Sequence, residues 1–199
     1  MDEKPDTTRH FYAEKAATYA ADTVDQPVSA HLRQFTAALA PQARVLELGC
    51  GSGRDSAVML AKGLTVTPTD GTPEMAAQAT ASLGRPVAVL AFGDLCDEAA
   101  YDAVWANACL LHVPRADLAG ILRRIQRALV PGGLFYASYK AGTAEGLDRF
   151  GRYYNFPDEI WLRQAYGAGW SSLVLEETRG SGYDGVPTPW LHMLARKAI

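Results

Sequence analysis

Hydrophobic residues along this chain follow two spacings in alternation, one typical of strands and one typical of helices. Short aliphatic runs such as Arg44–Leu48 alternate with stretches in which apolar residues recur every three or four positions. The clearest helical spacing lies between Pro114 and Leu129, and the Pro-Gly-Gly run that follows would end a helix. The predicted strands are Arg44–Leu48, Leu64–Thr69, Val87–Phe92, Tyr101–Ala106, Leu134–Tyr139, Leu173–Thr178 and Trp190–Arg196. The predicted helices are two within residues 9–40, then Arg54–Lys62, Pro73–Ser82, Pro114–Leu129 and Pro157–Tyr166.

The order of these elements predicts an α/β fold. Strands that alternate with helices form βαβ units, which place a mostly parallel sheet between helices on both faces. The last two predicted strands follow the last helix and are joined by a Gly/Pro-rich loop, so we expect them to form an antiparallel hairpin at one edge of the sheet. In such a sheet a ligand binds at the carboxyl ends of the strands.

Composition and charge narrow the function classes. With 199 residues, 48% of them hydrophobic, the chain predicts one globular domain over residues 1–199. A net charge of -3 leaves no basic excess for a nucleic acid, and no apolar run approaches the roughly 20 residues of a membrane span. The first residues are polar and acidic, unlike a signal peptide. Cys50, Cys96 and Cys109 form no Cys-x-x-Cys pair, which predicts core thiols in a reducing, cytoplasmic setting and no metal site.

A glycine-rich turn follows the first predicted strand. Glycines at positions 49, 51 and 53 continue the spacing Glu-x-Gly-x-Gly-x-Gly, which begins at Glu47. Glycine has no Cβ and lets a ligand approach the backbone, and the next helix offers free N–H groups to an anion. The simpler alternative is a tight turn without a ligand. A dinucleotide fingerprint would need glycine at position 54, where this chain has Arg54, and this disfavours a nicotinamide-dependent oxidoreductase.

The glycine turn resembles motif I of the class I S-adenosylmethionine-dependent methyltransferases, and other segments resemble this family in the same order. These segments are Asp70 after the second strand, Phe92-Gly93-Asp94-Leu95 after the third, Asn107-Ala108-Cys109-Leu110-Leu111-His112-Val113 after the fourth, and Leu129-Val130-Pro131-Gly132-Gly133-Leu134 before the fifth. The resemblance implies a Rossmann-like methyltransferase fold with a seven-stranded sheet. It also implies S-adenosyl-L-methionine as the cofactor and S-adenosyl-L-homocysteine as the product.

The resemblance also assigns residues to the cofactor. In the family, the acid at the position of Asp70 binds the ribose hydroxyls, and the Asp94-Leu95 pair faces the adenine. The N-terminal helix covers the cofactor, which makes Tyr19 a predicted contact. The complete predicted set is Tyr19, Glu47, Gly49, Gly51, Gly53, Asp70, Gly71, Asp94, Leu95 and Asn107. Residues 1–40 would then form a helical lid, residues 41–140 the cofactor-binding core, and residues 141–199 the acceptor side with the closing strands.

The resemblance implies methyl transfer to an oxygen, nitrogen or sulfur atom of a small molecule, but it does not identify the acceptor. His112 and Tyr139 are the predicted catalytic residues, although His112 could equally cap a helix or pack in the core. Lys140, Arg152 and Tyr153 are predicted to bind the acceptor, with a solvated lysine and an edge-packing cluster as the alternatives. Trp190 and His192 are interpreted as sheet packing. The compact size and the Leu-His-Val-Pro turn resemble the tellurite-resistance branch of the family.

Two other functions remain open at this point. A non-catalytic sensor or regulatory subunit could bind the same cofactor, and side chains would then block its acceptor cleft. An oxidoreductase on a related fold would bind a nicotinamide cofactor instead. The pathway, the oligomeric state and the use of a general base are not determined by the sequence.

Overall fold

A computed structural model describes residues 6–199 as an α/β sandwich. The helices are α1 (Thr7–Val24), α2 (Ala30–Ala37), α3 (Arg54–Ala61), α4 (Pro73–Leu83), α5 (Arg115–Ala128) and α6 (Glu159–Tyr166). The strands are β1 (Arg44–Leu48), β2 (Thr65–Asp70), β3 (Ala88–Val89), β4 (Tyr101–Ala106), β5 (Leu129–Lys140), β6 (Gly146–Leu147), β7 (Tyr153–Tyr154), β8 (Trp170–Ser181) and β9 (Pro187–Lys197). Short 3-10 turns occupy Phe92–Asp94 and Leu110–His112. No helix within residues 6–199 is long and apolar enough to cross a bilayer.

The main sheet has seven strands in the order β3-β2-β1-β4-β5-β9-β8. The first five strands in this order pair in parallel, whereas β5 with β9 and β9 with β8 pair antiparallel. The predicted mostly parallel sheet with an antiparallel edge hairpin is therefore confirmed. The chain reverses its direction of winding between β1 and β4, which is the switch point where a crevice forms in open α/β sheets.

Helices cover both faces of this sheet because the inner strands are apolar on both sides. One core cluster packs β4 and β5 against α5, whose Leu118, Leu122 and Ile125 are fully buried. The other packs the opposite face against Leu32 and Phe35 of α2 and residues of α3. Together, the two clusters fix the carboxyl ends of β1, β4 and β5 as a rigid platform.

Three local predictions need correction. The predicted strand Val87–Phe92 shortens to Ala88–Val89, since β3 is an exposed edge strand that turns into a 3-10 turn at Phe92. Strand β5 begins earlier than predicted, at Leu129. Its pairing with β4 jumps from Leu129 to Leu134, so the Pro-Gly-Gly run forms an irregularity in the ladder. Cys96 is exposed, unlike the other two cysteines, and is not a core thiol.

Candidate functional site

A cavity of 1060 Å³ lies at the carboxyl ends of the parallel strands. Its floor is formed by the residues that follow β1, β2 and β4, and by the end of β5. Helix α1 contributes Tyr12 and Tyr19, and the β8–β9 hairpin contributes Gly182, Tyr183 and Trp190. The cavity therefore extends from the glycine turn to the antiparallel edge of the sheet.

The glycines of the turn have different surroundings. Gly51 has a φ of +59°, and a Cβ at this position would lie 3.9 Å from the Tyr19 ring, within the cavity. Gly53 caps α3 with a φ of +81°, and a Cβ here would lie 2.9 Å from Leu83. Gly51 therefore keeps the cavity open, whereas Gly53 permits close packing of α3 against α4.

Asp70 is held in place by the backbone of two loops. Its carboxylate accepts hydrogen bonds from the Gly51 N–H at 3.1 Å and from the Thr72 N–H at 2.9 Å. Burial raises the pKa of Asp70, and these two N–H donors oppose that rise. Each oxygen takes one of the two bonds, so each keeps a lone pair for a donor in the cavity. The arrangement suits recognition of two neighbouring hydroxyl groups.

Two further acids, Glu47 and Asp55, lie behind the glycine turn. Burial and the negative charge of Asp55 raise the pKa of Glu47 well above its ordinary value, and the Ser56 hydroxyl donates a hydrogen bond to Glu47. Asp55 accepts hydrogen bonds from Arg54 Nε and Trp105 Nε1, each at 2.9 Å. These contacts hold both acids in fixed positions in the cavity wall behind the glycine turn.

Asn107 links the ends of β4 and β5. Its Oδ1 accepts a hydrogen bond from the Ser138 hydroxyl at 2.8 Å, and its Nδ2 lies 3.3 Å from Asp55. The Ser138 hydroxyl in turn accepts from the Ala108 N–H at 2.8 Å. Asn107 and Ser138 both line the cavity, so this hydrogen-bond network sets the shape of the cavity between β4 and β5.

His112 lies at the cavity wall with a fixed tautomer. Its Nδ1 donates to the Tyr153 carbonyl at 2.6 Å, which leaves Nε2 to accept from the Tyr12 hydroxyl at 3.1 Å. Burial lowers the pKa of His112 to about 4, and the positive charges of Arg152 and Lys140 add to this effect. His112 is therefore neutral at physiological pH, with its basic nitrogen directed to a hydroxyl.

This low pKa predicts that His112 makes stability depend on pH. Between its folded pKa of about 4 and its ordinary 6.5, the unfolded chain binds more protons than the folded chain, so stability falls as the pH falls through that window. We expect the free energy of unfolding to be about 1–2 kcal/mol lower at pH 5 than at pH 7 because of this residue. Urea denaturation at both pH values measures this difference in the wild type and in His112→Gln. An equal pH dependence in the two proteins would contradict a buried neutral imidazole.

Two cations that line the cavity, Lys140 and Arg152, each form a buried ion pair. Lys140 Nζ lies 2.6 Å from Asp184, and its side chain is 2% exposed. Arg152 is 1% exposed and contacts Asp148 through Nε and Nη2, at 2.9 and 2.7 Å. The Arg152 guanidinium also donates to the Tyr12 hydroxyl at 3.1 Å, which ties it to α1.

Ten predicted site residues line the cavity: Tyr19, Glu47, Gly49, Gly51, Asp70, Gly71, Asn107, His112, Lys140 and Arg152. Tyr139 and Tyr153 do not line the cavity. This corrects the prediction that Tyr139 is catalytic and the prediction that Tyr153 binds the acceptor. The Tyr139 side chain is fully buried in the core, where its hydroxyl lies 3.3 Å from that of Tyr166. The Tyr153 hydroxyl points away from the cavity and donates to Glu145 at 2.7 Å.

Gly53, Asp94 and Leu95 also lie outside the cavity lining, although Gly93 is part of it. Asp94 is exposed to solvent. Leu95 is buried in the core, and its N–H already donates to the Phe92 carbonyl. The adenine contacts predicted for this pair are therefore not supported by their positions.

Sequence reasoning missed several residues of the cavity. Arg9 donates to the Gly71 carbonyl at 2.9 Å and closes the cavity above β2. Asp55 directly follows the glycine turn, and an acid in the first turn of a helix could have signalled it.

Tyr183 and Trp190 belong to a hairpin whose closeness to β5 no local pattern indicates. The interpretation of Trp190 and His192 as sheet packing is incomplete, because both residues also line the cavity.

Comparisons with known proteins agree with this geometry. A family model described as a methyltransferase domain matches residues 46–137. The ubiquinone biosynthesis O-methyltransferase of Xanthomonas oryzae pv. oryzae is 37% identical over 174 residues, which cover 74% of this chain and 68% of that protein. An uncharacterized methyltransferase of Synechocystis sp. is 30% identical over 104 residues, and the chain spans about half of that relative, 47%.

A solved structure extends the similarity across the chain. The 1,6-didemethyltoxoflavin-N1-methyltransferase of Burkholderia thailandensis was crystallized with 1,6-didemethyltoxoflavin and S-adenosylhomocysteine. It superimposes with a TM-score of 0.71 at 26% identity, over 97% of this chain and 88% of that chain. These matches do not place the chain in the tellurite-resistance branch, which stays a prediction.

Proposed function

We propose that this chain, which belongs to the class I S-adenosylmethionine-dependent methyltransferases, transfers the methyl group of its cofactor to an oxygen, nitrogen or sulfur atom of a small molecule. The observation that carries the proposal is the size and continuity of the cavity. At 1060 Å³ it lies at the upper end of the range of about 300–1,000 Å³ that is usual for ligand pockets. It therefore offers room for the cofactor and for a small acceptor beside it.

The cofactor fits the half of the cavity around the glycine turn. Asp70 would accept from the ribose hydroxyls, as its two free lone pairs allow. Glu47 and Asp55 would face the cationic methionine portion, which Gly51 lets approach the backbone. Tyr19 of α1 would cover it from the other side.

The residues outside the cofactor half would position the acceptor and remove its proton. When bound, S-adenosylmethionine supplies a methyl group on a positively charged sulfur, and its departing sulfur needs no protonation. An acceptor hydroxyl or N–H must lose a proton as its bond to the methyl carbon forms. The neutral His112 Nε2, now hydrogen-bonded to Tyr12, is the nearby group that can accept that proton. Residues 141–199 would form the acceptor side, and residues 1–40 the lid.

The relatives support a small acceptor without choosing its reactive atom. The name of the Xanthomonas enzyme assigns methylation to an oxygen, and that of the Burkholderia enzyme assigns it to a ring nitrogen. The non-catalytic alternative predicts an acceptor cleft filled by side chains. The cavity instead continues past Asn107 to Lys140 and Trp190, which favours an enzyme.

Two measurements on the purified protein test this proposal. Calorimetric titration should show micromolar binding of S-adenosylmethionine and S-adenosylhomocysteine, and no binding of NAD. Release of S-adenosylhomocysteine is then measured with a panel of phenols, heterocyclic amides and small thiols, and at least one class should raise it above the rate without acceptor. Tight cofactor binding with no acceptor-dependent release would favour the non-catalytic alternative.

A further inference from the structure

The charges on the cavity wall differ between its two ends. Around the glycine turn the wall carries the acids Glu47, Asp55 and Asp70 together with the cations Arg9 and Arg54. From β5 onward the lining runs from Ser138 to His192, and the charged residues in this part of it are Lys140 and Arg152. Burial lowers the pKa of His192 to about 4, so it adds no charge at neutral pH. The lining residues contributed from β5 onward therefore include two cations and no acid.

The carboxylates that balance these cations lie behind them. Neither Asp148 nor Asp184 belongs to the cavity lining. Asp184 accepts from Lys140 Nζ at 2.6 Å and from the Val186 N–H at 3.2 Å. Asp148 accepts from Arg152 and from backbone N–H groups of its own loop. The acids thus hold the cations in place from outside, while the cations, 2% and 1% exposed, border the cavity on its other side.

Lys140 has hydrogen-bonding capacity left over. An ammonium group has three N–H donors, and Asp184 is its hydrogen-bond partner within residues 6–199. Because Asp184 takes one of these donors, an acceptor atom of a ligand at the cavity wall can take another. A neutral or cationic ligand group would not match this end of the cavity as well.

The walls around Lys140 are aromatic and closely fitted. Its Nζ lies 4.7 Å from the centre of the Tyr154 ring and 6.0 Å from that of Trp190. A Cβ on Gly182 would lie 2.6 Å from Lys140 Cε, so the hairpin leaves space for this side chain by having glycine there. The ammonium therefore lies beside two aromatic rings that also line the cavity and that offer apolar contact to a ligand there.

We propose that the Lys140 end of the cavity binds a planar aromatic acceptor through an oxygen-centred anion on its ring, with Lys140 as the specificity-determining residue and Arg152 as a second positive charge. This inference rests on the proposed function, because it specifies the acceptor class of the same site. The anion is either a carboxylate or an ionised ring hydroxyl, since both offer the oxygen lone pairs that Lys140 can bind.

Simple probes of equal size test the charge preference. Benzoate, benzamide and benzylammonium share a ring but differ in charge, and each is titrated into the wild-type protein loaded with S-adenosylhomocysteine. We expect benzoate to bind at least tenfold more tightly than the other two. A titration with 4-nitrophenolate at pH 8.5 distinguishes the sources of the anion, because a ring-hydroxyl site binds it more tightly than benzoate. If neither benzoate nor 4-nitrophenolate binds more tightly than benzamide, the proposal is wrong. This result needs only the wild-type protein and does not depend on the folding of any variant.

Two variants of the same ion pair give opposite expectations. Lys140→Gln should lower benzoate affinity at least tenfold, because it removes the positive charge. Asp184→Asn should raise that affinity severalfold, because it leaves the charge of Lys140 uncompensated while its amide oxygen can still accept from Nζ. Benzamide affinity should change little in either variant. A decrease of benzoate affinity in both variants would indicate a general structural effect and contradict the assignment.

Titration of S-adenosylhomocysteine alone separates this inference from the proposed function. If the wild type does not bind S-adenosylhomocysteine but prefers benzoate to benzamide when both are titrated without it, the proposed function fails and the anion site stands. If it binds S-adenosylhomocysteine and shows no preference for either anion, the anion site is wrong and the proposed function stands.

Discussion

Replacing Asp70 with alanine is expected to weaken binding of S-adenosylmethionine by about 1–3 kcal/mol, or roughly 5- to 150-fold. The carboxylate lies on the cavity wall with one lone pair free on each oxygen, so alanine would remove charge-assisted hydrogen bonds to the ribose. Calorimetric titration of the wild type and the variant measures the change directly.

The choice of controls matters because Asp70 also supports its loops. Alanine leaves the Gly51 and Thr72 N–H groups without their partner, so the folded fraction of the variant must be checked by its unfolding curve. Asp70→Asn keeps one acceptor oxygen and should give an intermediate loss of affinity. Asp94→Ala should change the affinity less than about threefold, since Asp94 is exposed and its charge is screened by solvent. Equal affinities in the wild type and a folded Asp70→Ala would remove Asp70 from the cofactor site.

Most of the residues that the sequence predicts for the cofactor line the cavity, because local patterns encode this part of it. A buried strand, a run of glycines and a helix follow one another within Arg44–Ala61, and each element leaves a signal of its own in the sequence. The acid at the end of β2 is also a local feature. The exception is the turn after β3, where two exposed strand residues set the register so weakly that the direction of Asp94 could not be predicted.

The part of the cavity that we assign to the acceptor was harder to predict, because it depends on which face of a strand each side chain occupies. Neighbouring residues of a strand point to opposite faces, so Tyr139 and Lys140 cannot both face the cavity. In the structure Lys140 faces the cavity and Tyr139 the core. The same alternation sets Arg152 and Tyr154 on the cavity wall and directs Tyr153 away from it. Only the tertiary arrangement decides which of the two faces is the functional one.

Two buried charged residues, Lys140 and Arg152, line the part of the cavity that we assign to the acceptor. Lys140 pairs with Asp184, which lies 44 residues further along the chain, whereas Arg152 pairs with Asp148 four residues before it in the same loop. Charged side chains are rarely buried unless they are paired, so the Lys140–Asp184 pair shows where two distant segments meet. A single sequence contains no local sign of such pairing.

Arg152→Met is expected to lower the free energy of unfolding by about 3–5 kcal/mol, which is the usual cost of removing one partner from a buried ion pair. Methionine would fill much of the volume but leave the Asp148 carboxylate, 5% exposed, without its cation. The guanidinium also lies 4.9 Å from the centre of the Phe11 ring and 5.7 Å from that of Tyr183, so α1 and the β8–β9 hairpin both lose contacts. The variant should therefore weaken the packing of α1 and of the β8–β9 hairpin over the cavity, in addition to removing the ion pair.

A double-mutant cycle separates the ion pair from the packing around it. Asp148→Asn alone should also destabilise the fold, because it leaves the Arg152 charge unbalanced, although its amide oxygen can still accept from the N–H groups of Phe150 and Arg152. The double variant should cost at least about 1 kcal/mol less than the sum of the two single changes, because no buried charge then lacks a partner. Urea denaturation of all four proteins gives this coupling energy. If the two single costs simply added, the buried pair would not hold this segment, and the aromatic rings around Arg152 would have to account for its stability.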